Sequence, residues 1–129
     1  MCGIATQYAT AYGFTGLRGH WCCAMASNEI LIFTAINDTD VAEELITNML
    51  EADLIVSGTM FPGTTLLYRW ENKINLDEEV KIILKSTRDK YEKIEDYIMH
   101  RHPYRFPEIT TIDASFGTER FREFCRNKP

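Results

Sequence analysis

The chain has 129 residues, a mass of 14.9 kDa and a formal net charge of −5, which indicates one domain with or without a tail. Its pI of about 5.2 argues against nucleic-acid binding, because proteins of that class usually carry a basic surface. No apolar run reaches the ~20 residues that a membrane-spanning helix needs. A hydrophobic content of 45% argues against disorder of the whole chain.

The beginning of the chain differs in composition from the rest. Residues 1–27 contain no Asp or Glu and only one Arg or Lys, whereas the remaining residues carry all 19 acids and 13 bases, a net charge of −6. We therefore predict an N-terminal extension over residues 1–27 and a folded domain over residues 28–129. The extension fits a disordered tail, a mis-assigned translation start or an organelle-targeting segment, and its sequence leaves these alternatives open.

Cysteine usage indicates the compartment. Three of the four cysteines lie in the extension, where Cys22 and Cys23 are either a soft-metal site or two free thiols. The domain retains only Cys125, and the chain has no C-x-x-C motif. A disulfide framework is not indicated, so we predict a reducing, cytoplasmic location.

The first half of the domain begins with a strand and a helix. Residues 29–35 form a short apolar run that is typical of a buried strand. Asp40 with Glu43 resembles a capping box, and apolar residues at four-residue spacing then predict a helix that ends near Glu51.

Extended segments follow this helix. Residues 54–61 and 64–70 are predicted strands, separated by Pro62-Gly63, and residues 79–85 are a further strand after a turn at 71–73.

The last part of the domain alternates helix and strand. Asp89 is a predicted cap for a helix that must stop by His102, because Pro103 disfavours helical geometry in the residue before it. Residues 109–114 form the last predicted strand, and Thr118 is placed to cap a short C-terminal helix.

The resulting order is β-α-β-β-β-α-β-α. If the second and third strands are one long bent element or a hairpin, this is an α+β fold of the ferredoxin-like, split β-α-β kind. Leu66, Tyr68 and Trp70 fall on one face of their strand, and Leu67 and Arg69 on the other. Because both faces carry large apolar side chains, we predict that another subunit covers the free face of the sheet; the alternative is a monomer with a few exposed aromatic side chains.

Polar residues after the second helix are a candidate metal site. His100, His102, Tyr104 and Glu108 lie within nine residues, and imidazole and carboxylate both suit Cu²⁺. The alternative is an ordinary helix end, where a histidine interacts favourably with the helix dipole.

Adjacent strands carry a second candidate cluster. Tyr68, Trp70, Glu79 and Lys85, with Tyr104, could line a cleft that receives an anionic or planar small ligand. The alternative is surface charge beside interface aromatics.

Enzymatic activity has little support in the residues. The domain contains no G-x-S-x-G, and neither of the common glycine-rich phosphate-binding motifs occurs in it. Acylphosphatases of this fold rely on an arginine in a glycine-containing loop near the first strand, but residues 34–39 contain neither Arg nor Gly. We therefore predict that the chain is not an enzyme.

Four separated motifs carry a resemblance to a known family. They are Phe61-Pro62-Gly63-Thr64-Thr65, Tyr68-Arg69-Trp70-Glu71-Asn72-Lys73-Ile74, Glu79-Val80 leading to Ile83-Leu84-Lys85-Ser86-Thr87, and His102-Pro103-Tyr104 followed by Pro107-Glu108-Ile109. In this order they resemble the CutA divalent-cation tolerance family, and the match runs from about Ile30 to Phe124.

The resemblance implies a ferredoxin-like homotrimer associated with tolerance of copper and other divalent cations, with no established enzymatic activity. We expect a trimer that binds Cu²⁺ or another divalent cation, with His102 and Glu108 as metal ligands. The second hypothesis is a PII-like regulatory trimer that binds a small anion at subunit clefts. A third is a protein-interaction or anchoring module. None of these involves nucleic acid or a membrane.

The chain also departs from the family. Many members have cysteines at the positions of Phe33 and Ser57, and some have a histidine at the position of Arg101. The thiol ligands proposed for those members are therefore missing from this domain. A copper site here is expected to be harder and weaker, or to lie between subunits.

Overall fold

The structure, a computed structural model, describes residues 28–127. That range contains four β-strands, three α-helices and one 3-10 turn. Their bounds are β1 Glu29–Ile36, α1 Thr39–Glu51, β2 Ser57–Trp70, β3 Lys73–Thr87, the 3-10 turn Arg88–Lys90, α2 Tyr91–Arg101, β4 Thr110–Asp113 and α3 Glu119–Arg126. The extension and its Cys22–Cys23 pair lie outside the described residues. None of the helices in 28–127 is long and apolar enough to cross a membrane.

The strands form one antiparallel sheet in the order β2-β3-β1-β4. This is the order of the split β-α-β plan, so the predicted α+β class is confirmed, in the form in which the second and third predicted strands are one bent element. One face of β1 and β3 packs on α1 and α2. The core consists of apolar side chains from these four elements and from the loop before β2: Ile30, Ile32, Ile36, Ala42, Leu45, Ile46, Met49, Ile55, Val80, Ile82, Leu84, Ile94 and Ile98.

The two extended stretches predicted before the turn are one bent strand, β2, which begins at Ser57. A register shift between Phe61 and Thr64 marks a β-bulge. Pro62 has no N–H to donate to the ladder, and Gly63 has a φ of +74°, a conformation that glycine adopts without strain. The bulge explains why the sequence looks interrupted although the strand continues.

Strand β3 begins at Lys73, six residues earlier than predicted, and pairs with β2 in a long hairpin. The turn residues Glu71 and Asn72 both have positive φ, as a tight two-residue hairpin turn requires. We call the far part of this hairpin, residues 64–78, the hairpin arm. Large apolar side chains of the arm are more than a third exposed: Leu66, Leu67, Tyr68, Trp70, Ile74 and Leu76.

The start of α1 differs in detail from the prediction. Asp38, rather than Asp40, is the N-cap, and its carboxylate accepts the N–H groups of Asp40 and Val41 at 2.8 and 3.1 Å. The predicted capping box of Asp40 with Glu43 is therefore wrong. An Asx cap two residues earlier satisfies the same unpaired helix donors.

Of the other two predicted caps, one is wrong and one is confirmed. The N-cap of α2 is Lys90 without a side-chain cap hydrogen bond, because a 3-10 turn leads into the helix, so the prediction for Asp89 is wrong. Thr118 caps α3 as predicted, its hydroxyl accepting the N–H of Phe121 at 3.2 Å.

Residues 113–127 group with Glu29 as a compact unit separate from residues 30–112. Glu29 accepts the N–H of Phe116 at 2.7 Å through its carboxylate and that of Ala114 at 2.9 Å through its carbonyl. The guanidinium of Arg122 lies 3.5 Å from the same carboxylate and donates to the Phe116 carbonyl at 2.8 Å.

Gly58 lies where β2 passes close to a side chain of α1. A Cβ built at this position would be 2.6 Å from Cγ2 of Ile46. We expect Gly58→Ala to lower the free energy of unfolding by about 1–3 kcal/mol through overpacking. Urea denaturation would measure the change, with Gly117→Ala as control because its Cβ would meet nothing within 4 Å. Equal stability of the two variants would contradict the close approach.

Candidate functional site

A cleft of about 490 Å³ lies on the sheet face that the helices leave open, beside the segment that joins α2 to β4. Its position follows from the period of two in β3: Val80 and Ile82 face the core, so Glu79 and Lys81 face the other way. The lining residues are Ala35, Thr64, Thr65, Leu66, Glu79, Lys81, Tyr104, Phe106 and Glu108.

Glu79 is the most deeply placed charged group of the cleft, with 8% of its surface exposed. Burial raises the pKa of its carboxyl above the ordinary value of 4.5, and the nearby carboxylates Glu108 and Asp77 raise it further. Lys81 and His102 act in the opposite direction without reversing the shift. The backbone at this point is held by Thr64, whose hydroxyl donates to the Glu79 carbonyl at 2.8 Å.

Lys81 and Glu108 form an ion pair across the cleft. The ammonium nitrogen lies 2.6 Å from Oε2 of Glu108, and both side chains are more than a third exposed. An exposed pair of this kind contributes little to stability. Lys81 nevertheless occupies Oε2 of Glu108, which is a predicted metal ligand. The other oxygen, Oε1, accepts a hydrogen bond from the Thr110 hydroxyl at 3.4 Å.

Two tyrosines extend the polar region. Burial raises the pKa of Tyr104, and Glu79 and Asp77 add to the rise. Tyr68 donates its hydroxyl to Asp77 at 2.7 Å, and this hydrogen bond is the main reason that its pKa is raised. Both phenols therefore lie beside carboxylates and keep their protons at neutral pH.

His102 is built into the fold rather than directed at solvent. It is the C-cap of α2 and 8% exposed, and its Nε2 lies 2.7 Å from the Ala35 carbonyl oxygen. Because a carbonyl can only accept, Nε2 carries the proton, and Nδ1 is free to accept the N–H of Tyr104 at 3.0 Å. Both ring nitrogens are thus used, so His102 would have to give up a hydrogen bond to ligate a metal.

The predicted metal ligands do not form a preassembled chelate in one chain. Within residues 28–127 no group of three or more His, Cys, Asp or Glu side chains is arranged to hold a metal ion. His100 is exposed and points back at its own helix, with Nδ1 2.7 Å from the Asp96 carbonyl. Whether His102 and Glu108 bind a cation stays a prediction.

The second predicted cluster is spread along one face of the hairpin. The register places Tyr68 opposite Asn75, and Trp70 opposite Lys73. Glu79 lies opposite Thr64 and lines the cleft with Tyr104. Lys85 is twelve residues along β3 from Lys73, about 40 Å at the usual rise per residue. One chain therefore brings Glu79 and Tyr104 together, but not Trp70 and Lys85.

Sequence reasoning missed six cleft residues, namely Ala35, Thr64, Thr65, Leu66, Lys81 and Phe106. For Lys81 the signal was present, because it is two residues from Glu79 in a strand and so shares its face. The β2 residues could not be assigned, since the sequence marks an interruption at Pro62-Gly63 but does not show that the strand continues through it with a one-residue shift.

Comparison with known proteins identifies the family of the chain. The family model described as CutA1 divalent ion tolerance protein matches residues 30–128. The chain belongs to this family. A protein from Yersinia pestis (strain Pestoides F), named divalent-cation tolerance protein CutA, is 33% identical over 91 residues, which are 70% of this chain and 76% of that protein.

Solved structures of CutA1 proteins share the fold of this family member. CutA1 from Ehrlichia chaffeensis is 30% identical and superposes with a TM-score of 0.74, covering 79% of this chain and 95% of that one. CutA from Pyrococcus horikoshii, solved in 3 M guanidine hydrochloride, is 31% identical with a TM-score of 0.70, covering 75% and 95%.

The raised pKa of Glu79 predicts how the thermal stability of this CutA1-family chain depends on pH. A carboxyl whose pKa is higher in the folded state contributes stability while it is protonated, and that contribution is lost as pH rises through the folded pKa. We therefore expect Glu79→Gln to melt at the same temperature as the wild type near pH 4, and a few degrees higher at pH 7. Thermal melts across this range would measure the difference. A lower melting temperature of the variant at pH 7 would show that Glu79 is stabilised by a partner.

Proposed function

We propose that the chain acts as a non-enzymatic homotrimer in the cytoplasm and that it binds divalent cations, with Cu²⁺ the first to test. Membership of the divalent ion tolerance family is the observation that carries the proposal. Two features of the single chain are consistent with it, namely the hairpin arm and the charge of the domain.

The hairpin arm supports association. Leu67, Ile74 and Leu76 are between 62% and 67% exposed and share one face, while Trp70, 61% exposed, lies on the other. Contiguous apolar surface on both sides of a two-stranded ribbon is unfavourable in water unless another chain covers it. Three copies form a closed ring in which each arm can lie on a neighbouring subunit.

The charge of the domain supports cation binding. Residues 28–129 carry a net charge of −6, so three copies carry −18. A field of this sign draws cations toward the assembly and repels anions. Glu108 is the more accessible of the two proposed ligands, since its side chain is 43% exposed whereas His102 is buried.

Calorimetric titration with Cu²⁺ tests the site. We expect Glu108→Gln to weaken binding about tenfold and Lys81→Met to strengthen it, because Lys81 competes with the metal for the same oxygen. Opposite effects from the two halves of one ion pair would not follow from a general loss of structure. If both variants bind Cu²⁺ like the wild type, Glu108 is not a ligand.

A PII-like regulatory trimer that binds a small anion is the second candidate. Tyr68, Trp70 and Lys85 share one face of the hairpin, and only a neighbouring copy could bring Lys85 to Trp70. A thermal-shift screen of nucleotides and carboxylic acids should give stabilisation if this is the role. Stabilisation by divalent metals alone would favour the cation site.

A further inference from the structure

The β-bulge in β2 lies where the hairpin leaves the body of the domain. Two residues of β2, Pro62 and Gly63, oppose the single residue Val80 of β3. On β3, residues 79–87 are buried or half-buried, whereas residues 73–78 are exposed with one exception. The change from buried to exposed strand therefore coincides with the bulge.

The bulge leaves the cross-strand pairs of the hairpin arm in order. Thr64 pairs with Glu79 directly after the bulge, and each β2 residue from there to Trp70 has its own partner in β3. The extra residue is thus absorbed within the bulge, and the side chains of the arm go on alternating between the two faces. What the extra residue changes is the direction of the arm, because a bulge bends its strand and increases the local twist.

Local backbone chemistry favours this bend in the single chain. Gly63 has a φ of +74°, which glycine adopts without strain and which β-branched residues adopt only at a cost. Pro62 has a restricted φ and no N–H that the bulge could leave unpaired. Directly after the bulge, the Thr64 hydroxyl donates to the Glu79 carbonyl at 2.8 Å and ties the two strands together.

The direction of the arm matters because its apolar side chains lie beyond the helices. Leu67, Ile74 and Leu76 on one face and Trp70 on the other are between 61% and 67% exposed, so the arm presents apolar surface to any copy that it reaches. Head-to-tail contacts of this kind form a ring only when the rotation between neighbouring copies closes, and otherwise form an open chain. A different angle of the arm would change that rotation.

We propose that the bulge at Pro62 and Gly63 sets the angle of the hairpin arm and thereby closes the ring at three subunits. This inference rests on the homotrimer proposed above and names the local feature that selects the number of copies. A straight hairpin would carry the same side chains on the same faces, but it would present them to a neighbour at another angle.

Deletion of Pro62 tests the proposal, because it removes the extra residue and retains the other cross-strand pairs. Gly63 then opposes Val80 and keeps an N–H for the ladder. Light scattering behind size exclusion measures the mass of the full-length chain, and circular dichroism with thermal melts shows that the variant is folded. We expect three times 14.9 kDa for the wild type, and monomers or open oligomers for the deletion variant. A folded deletion variant with the mass of three chains would overturn the proposal.

Two substitutions at Gly63 keep the length of the strand and form a matched pair. A Cβ at this position would meet nothing within 4 Å in the single chain, so both substitutions act there through the backbone. Asparagine tolerates a positive φ, whereas valine does not. We expect Gly63→Asn to assemble like the wild type, and Gly63→Val to dissociate at a protein concentration about tenfold higher. Equal dissociation of the two variants on dilution would overturn the proposal.

Failure of this inference is distinguishable from failure of the homotrimer. A wild-type chain that is monomeric would contradict the homotrimer, and the bulge would then have no ring to close. A wild type and a folded deletion variant that are both trimeric would contradict the role of the bulge alone.

Discussion

Replacing Leu67 and Leu76 together by glutamate is expected to convert the assembled protein into monomers of 14.9 kDa. The two side chains are directly opposite each other in the hairpin register and are 62% and 65% exposed in the single chain. Burying each leucine contributes about 1.5–3 kcal/mol to association, and a buried unpaired carboxylate would oppose it further. Because every subunit of a ring carries the change, the losses accumulate at each interface.

Light scattering behind size exclusion measures the result, with three times 14.9 kDa expected for the wild type. Met99→Glu is the matched control, since Met99 is also a half-exposed apolar residue but lies on α2, away from the hairpin arm. Its mass should equal that of the wild type. A monomeric wild type, or a double variant that stays trimeric, would contradict the role of the arm.

The helices and strands were predictable where the spacing of the hydrophobic residues and the residues that end an element indicate the same boundaries. Ile94 and Ile98, spaced four apart before a proline, predicted α2, and both are fully buried. The start of β3 was missed because residues 73–78 are rich in Lys, Asn, Asp and Glu, which are depleted in strands, although Ile74 and Leu76 alternate with polar residues as in a strand. Pairing with β2 extends the strand there, which is a tertiary effect on a segment of weak local preference.

The site was only partly predictable for a related reason. Glu79 and Tyr104 were named together and do line one cleft, whereas Trp70 and Lys85 were grouped with them on the basis of neighbouring strands. The sequence indicates which strands are adjacent, but it does not give their register, that is, which residues of the two strands lie opposite each other. The register, and the bulge that shifts it by one residue, come from the fold as a whole.

His100 and His102 belong to one sequence motif but have different surroundings in the structure. His100 and His102 are two residues apart and carry the same chemistry, yet the first is exposed and the second is buried against β1. The difference arises at the end of α2, where Pro103 stops the helix and His102 turns to an extended conformation with ψ of 134°. Its ring then reaches the Ala35 carbonyl, whereas the ring of His100 lies beside the Asp96 carbonyl of its own helix.

We expect His102→Ala to lower the free energy of unfolding by about 2–5 kcal/mol, a large fraction of the stability of a domain of this size. The substitution leaves the Ala35 carbonyl and the Tyr104 N–H without their partners, and removes a ring that packs edge-on against Tyr104 at 4.7 Å between centroids. Urea denaturation at fixed protein concentration measures the loss, because the proposed assembly would make stability depend on concentration.

His100→Ala is the control for this prediction, and we expect a change within about 0.5 kcal/mol, as for other exposed positions. Repeating both measurements with Cu²⁺ separates the two roles of His102. If His102 is a hydrogen-bonded core residue, His102→Ala lowers the stability by the same amount with and without metal, since the partners of His102 are backbone groups. A ligand would instead show a larger loss when Cu²⁺ is present, because the wild type alone would gain the binding energy. A deficit that appears only with Cu²⁺ would mean that His102 exchanges its hydrogen bond to Tyr104 for the metal.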